Sequence, residues 1–119
     1  MANTFKVITV AGVTSISTIY TAGGSTTTIV LGLILGNTTT SQVTATVTLN
    51  TDTGNRSGAN DESNQAVELV TNAPIPAGSS LELLSGNKVV LEATDEIKVS
   101  ASGATDVALS IMEITKWHM

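Results

Sequence analysis

A chain of 119 residues with a formal charge of −5, an isoelectric point near 4.5 and only five Lys or Arg residues is poorly suited to neutralising phosphate backbones, because nucleic-acid binders cluster their cations. The absence of cysteine excludes disulfide frameworks, thiol nucleophiles and cysteine-based zinc sites together, and one Trp, one Tyr and one Phe leave no stacking platform for bases or sugar rings. The length suits a single domain over residues 1–119, able to bury roughly two thirds of its unfolded surface and to fold without metal or cross-link.

No segment approaches the ~20 apolar residues of a membrane span, and the start of the chain lacks the basic region, long apolar run and small-residue cleavage site of a signal peptide. The expectation is a protein folded in a cytoplasm, with neither membrane nor nucleic acid as partner. Roughly one residue in six is Thr, and Lys, Arg and Gln are scarce, which points to an all-β chain.

Residues Phe5 to Val10 read as a first short strand, followed by Ala11-Gly12, and Ile16 to Thr21 as a second, ending in the turn Ala22-Gly23-Gly24-Ser25. The run Thr26 to Asn37 is the most apolar of the chain. It is too short for a typical helix, opens on β-branched residues and closes on Gly36-Asn37, so it reads as a buried strand around which the rest packs. Alternation places Ile29, Leu31, Leu33 and Leu35 on one face and Val30, Gly32 and Ile34 on the other. Both faces need cover. The second is covered either by a loop of the same chain or by a neighbouring subunit, so Val30, Gly32 and Ile34 are the candidate oligomer or partner interface.

Val43 to Leu49 alternate cleanly with Thr44, Thr46 and Thr48, which predicts a strand in a hairpin with the central one. Residues 50–64 have no periodicity and read as a long surface loop. Its Asp52, Asn55, Arg56, Asn60, Asp61 and Glu62 are candidate partner contacts, and the side-chain oxygens of Asp52, Asn55, Asn60, Asp61 and Glu62 suit calcium, although the spacing does not match an EF-hand loop.

Gln65 to Thr71 predict a strand with Val67 and Leu69 inward. Pro74 and Pro76 exclude a central strand, so residues 72–78 read as a crossover or edge. Leu81, Leu83, Val89 and Leu91 flank Ser85-Gly86-Asn87-Lys88, a hairpin signal. Ile97, Val99 and Ala101 point inward on the next strand. Val107, Leu109 and Ile111 do so on the last, until Glu113 breaks the pattern and suggests a bulge near Met112. Residues 115–119 read as a tail.

About eight short strands with turn signals every 8–12 residues predict one antiparallel β-sandwich, jelly-roll-like in type. Chemistry is sparse. His118, the single histidine, stands in the tail, where a catalytic base has no rigid setting. Glu92, Asp95 and Glu96 are acids that ordinarily decorate β-turns, and no second constellation supports glycoside hydrolysis. Asn37-Thr38-Thr39 and Asn55-Arg56-Ser57 fit the glycosylation pattern, but without a secretory signal both read as chance. The reading is non-enzymatic, with no cofactor, metal or catalytic residue.

Four pieces resemble small virion structural proteins of tailed phages, notably cyanophages. They are Gly32-Leu33-Ile34-Leu35-Gly36-Asn37-Thr38-Thr39, Asn72-Ala73-Pro74-Ile75-Pro76-Ala77-Gly78-Ser79-Ser80-Leu81, the run Lys88 to Val99, and Leu109-Ser110-Ile111-Met112-Glu113-Ile114. The resemblance spans roughly residues 18–114 and carries over no catalytic residue. It implies a small β-sandwich on the particle. Foremost is a capsid decoration (cement) protein, a homo-oligomer with a trimer favoured, bound to the major capsid protein on the outer shell after assembly in the host cytoplasm. A tail, baseplate or fibre subunit bound to tail proteins is the alternative within that class, and a receptor- or glycan-binding module using loop 50–64 is the alternative from another.

Overall fold

A computed structural model describes residues 2–51, 66–84 and 88–115. It contains nine strands: β1 (Ala2–Val13), β2 (Ser17–Thr21), β3 (Thr26–Asn37), β4 (Val43–Asn50), β5 (Ala66–Ile75), β6 (Ser80–Leu83), β7 (Val89–Leu91), β8 (Glu96–Ala101) and β9 (Thr105–Thr115). They form two antiparallel sheets. One has five strands in the order β1-β9-β3-β6, with β7 also paired to β3; the other has four, in the order β2-β8-β4-β5.

Most successive strands cross from one sheet to the other, and this overturns two expected hairpins. β4 pairs with β5 and β8 rather than with β3, because the apolar alternation of both strands fits facing layers as well as adjacent strands. β6 and β7 do not pair with each other. They lie end to end along β3, β6 opposite Leu33–Gly36 and β7 opposite Thr28–Val30. Counted as one interrupted strand, they give eight strands in jelly-roll order, the expected all-β sandwich. Residues 85–87, where the sequence predicts a turn, lie outside the described residues, and Leu84, with φ of 64°, begins the interruption.

The core fills the space between the sheets. Val30, Leu33, Leu35, Leu91, Leu109 and Ile111 of the first sheet meet Val47, Ile75, Ile97 and Val99 of the second, all at most 1% exposed. Each such side chain contributes about 1.5–3 kcal/mol on burial.

One register break decides which residues face that core. β3 slips against β9 between Val30 and Gly32, where Val30 opposes Ile111 and Gly32 opposes Ser110, so Leu31 is the extra residue of a β-bulge. Before it, Thr28 and Val30 point inward. After it the parity reverses and Leu33, Leu35 and Asn37 do. The expected bulge on β9 therefore lies on its partner strand; β9 pairs with β1 without interruption from Val107 to Thr115.

Prolines behave as anticipated. Pro74 sits in β5, an edge strand. β5 itself is irregular, slipping twice against β4, and Val67 is 46% exposed rather than inward.

Candidate interaction face

The bulge separates the residues assigned to the second face of the central strand. Val30 is fully buried and belongs to the core, a correction to its place in the candidate interface. Gly32 and Ile34 lie on the outer face of the five-stranded sheet, with Ile34 44% exposed.

That outer face is unusually apolar. Phe5 opposes Met112, Met112 opposes Ile29, and Ile29 opposes Val90, so one apolar row crosses four strands. Its two ends are open to solvent, Phe5 at 70% and Val90 at 49%. The next row is low, Val7-Ser110-Gly32. The one beyond is Thr9-Ala108-Ile34-Glu82. Thr9, Ala11, Ile34, Gly36, Asp106 and Ala108 border an open depression of about 340 Å³ at this end.

The glycines keep the surface low without being needed by the fold. A Cβ built on Gly32 meets nothing within 4 Å, and one on Gly36 meets only the Asp106 carbonyl oxygen at 3.9 Å. The depression is thus open space that side chains could fill and do not.

At the other end of the sandwich, polar side chains tie the sheets together. Tyr20 on β2 reaches across to donate its hydroxyl proton to Glu113 Oε2 on β9 at 2.5 Å, with Thr28 Oγ1 on β3 at 2.8 Å. Glu113 Oε1 also meets Lys6 Nζ on β1 at 2.7 Å. The Lys6 ammonium and then the Tyr20 hydroxyl hold the Glu113 carboxyl below its usual range. Burial, reinforced by the hydrogen bond to Glu113, pushes Tyr20 up to about 12. Glu113 thus breaks the apolar alternation of β9 because it closes the core with this cluster.

The other acids serve turns and edges. Asp95 is fully buried; its Oδ2 accepts the Glu92 amide at 2.9 Å and its own amide reaches the Glu92 carbonyl at 3.0 Å. Glu92 Oε1 accepts the Thr27 hydroxyl, and Glu96 takes that of Thr21. Asn37 is also buried. Its amide donates to the Ser41 and Ile75 carbonyls at 2.8 and 2.9 Å while Oδ1 accepts from the Thr39 amide and hydroxyl.

Asp52, Asn55, Arg56, Asn60, Asp61, Glu62 and His118 lie outside the described residues. Among the described residues no group of three or more His, Asp or Glu is placed to hold a metal ion, and no helix is long and apolar enough to cross a membrane.

No family model and no curated protein matches the chain. Among solved structures, it is similar to a protein of Bacillus endospore appendages, described as a novel family of disulfide-linked pili. The identity is 13%, the TM-score 0.50, and the match covers 98% of this chain and 88% of that one. It also matches a chain of the T13 particle of infectious bursal disease virus, at 10% identity and TM-score 0.38, over 93% of this chain and 35% of the viral one. The first likeness shows a shared β-sandwich fold.

Proposed function

We propose that the chain is a non-enzymatic structural subunit of a virion, foremost a decoration (cement) protein of a tailed-phage capsid. It binds the major capsid protein through the outer face of its five-stranded sheet. The observation that carries this reading is the row Phe5-Met112-Ile29-Val90 on the outer face, with its ends Phe5 and Val90 open to solvent although the chain already has a full core between its sheets. An apolar strip of that kind marks a contact surface. Bound there, the subunit adds free energy only to the assembled shell and so stabilises it by mass action.

The outer shell is the favoured location, since a chain of charge −5 suits the side away from packaged DNA. Likeness to a pilus subunit supports an assembly role of a self-associating protein. It also favours, as a second reading, a subunit of a tail. The disulfide linkage of those pili has no counterpart in a chain without cysteine.

Gold-labelled antibody on particles from a lysate of the source, viewed by electron microscopy, tests the reading. Label spread over the shell supports decoration and label confined to the tail the second reading. Unlabelled particles would reject both.

A further inference from the structure

The five-stranded sheet ends at β1, and among the described residues no strand pairs with its outer side. The other three edges are blunted. β2 is five residues long and slips between Thr18 and Tyr20. β5 slips twice and contains Pro74, and the β6–β7 edge is interrupted after Leu84. β1 slips only at its far end, between Val10 and Val13, and is otherwise unprotected. Ala2–Val10 pairs with β9 over nine residues without a break, contains no proline, and turns its one charge, Lys6, to the inner face to meet Glu113. Long, regular and unguarded edges are templates for strand addition.

The outward side chains of this same strand are apolar: Phe5 is 70% exposed and Val7 62%. We propose that β1 pairs antiparallel with β1 of a second copy, across a two-fold axis that runs through Val7 perpendicular to the sheet. The geometry stands independently of the virion reading; only its purpose rests on it.

Facial parity limits the register. An axis perpendicular to the sheet leaves both outer faces on one side, so opposed residues must share a face and their numbers must sum to an even value. Centring on Lys6 would set two ammonium groups directly opposite, an unfavourable pair. Centring on Val7 sets Val7 on Val7, Phe5 beside Thr9 and Lys6 beside Ile8, and engages Thr4–Val10 of each copy. The strand is self-complementary in that register, which is why a second copy is the occupant.

The two five-stranded sheets then form one continuous sheet, and both apolar rows face the same way as a single broad surface. An isologous contact closes at two copies, so the unit is a dimer in place of the trimer that the phage resemblance implies.

The chain has no cysteine, so Val7→Cys gives one thiol per copy. At the axis the paired Cα atoms stand about 4.5–5.5 Å apart, within disulfide range. Mild oxidation of Val7→Cys should yield a covalent dimer of twice the 12.1 kDa chain. Val90→Cys, on the same face but three strands away, should remain a single chain. By light scattering the native protein should have the mass of two chains, Val7→Lys and Val7→Glu each that of one, and their mixture again that of two. A single-chain mass for the native protein, or cross-linking of Val7→Cys no faster than of Val90→Cys, would overturn the pairing. These readings use purified protein without particles, so their failure leaves the virion role standing, and unlabelled particles would remove that role while leaving the dimer.

Discussion

The Tyr20 hydroxyl stands 2.5 Å from Glu113 Oε2, so a side chain of the four-stranded sheet holds the end of β9 in the five-stranded one. Tyr20→Phe removes this bond and leaves the buried Thr28 hydroxyl without its 2.8 Å partner. The loss should be about 1–2 kcal/mol, read as a lower urea midpoint with an unchanged slope.

The same cluster predicts a pH dependence at each extreme. Glu113 is held below its ordinary value of 4.5, so its contribution is present above that value and is lost as pH falls through the lower folded-state value. Tyr20 is raised from 10.0 to about 12. Its contribution is therefore full below pH 10 and is lost as pH rises from 10 to about 12, where the unfolded chain ionises first. Because the chain has one tyrosine, tyrosinate absorbance reports Tyr20 alone. Its midpoint should lie near 12 in the native protein and return to about 10 in urea.

Val30 and Ile34 should respond in opposite ways to the same charge. Val30→Asp buries a carboxylate at a fully enclosed site and should unfold the chain, since the cost is several kcal/mol against a stability of about 5–15. Ile34→Asp, at a position 44% exposed, should keep the native circular dichroism and melting cooperativity.

Glycines separate the fold's needs from those of the face. At Gly32 an added Cβ meets nothing, so Gly32→Ala should stabilise the free protein by about 0.5–1 kcal/mol by restricting the unfolded chain. At Gly103 the added Cβ would lie 2.7 Å from Val43 Cγ1, and Gly103→Ala should lower the melting temperature instead.

Asn37 offers a test of the crossover after β3. Asn37→Asp turns a donor to two carbonyls, at 2.8 and 2.9 Å, into a buried anion facing them. The cost should exceed about 3 kcal/mol at neutral pH and should shrink in acid, as measured by denaturant titration at both conditions.

Much of the strand pattern was legible because one wet face and one dry face leave a period of two, as in Val43 to Leu49 and Ile97 to Ala101. What escaped was information that does not lie near the residue in sequence. Leu31 carries no mark of being a bulge, so period two carried Val30 onto the wrong face. Asn87 and its neighbours signal a turn locally, yet β3 is long enough to pair with both flanking strands in line. Glu113 was visible as a break in β9, but its partner Tyr20 is 93 residues away. The surplus of apolar surface was legible; its place on Phe5, Met112, Ile29 and Val90 needed the register of four strands.

The proposed role requires the outer face of the five-stranded sheet to meet the particle. The most direct measurement is uptake of tagged protein by purified particles, wild type against Val90→Asp, a change at a position 49% exposed and outside the core. Wild-type protein should exchange onto the particles and Val90→Asp should bind at least ten-fold less, a difference of about 1.4 kcal/mol. Equal uptake of the two would contradict the role given to this face.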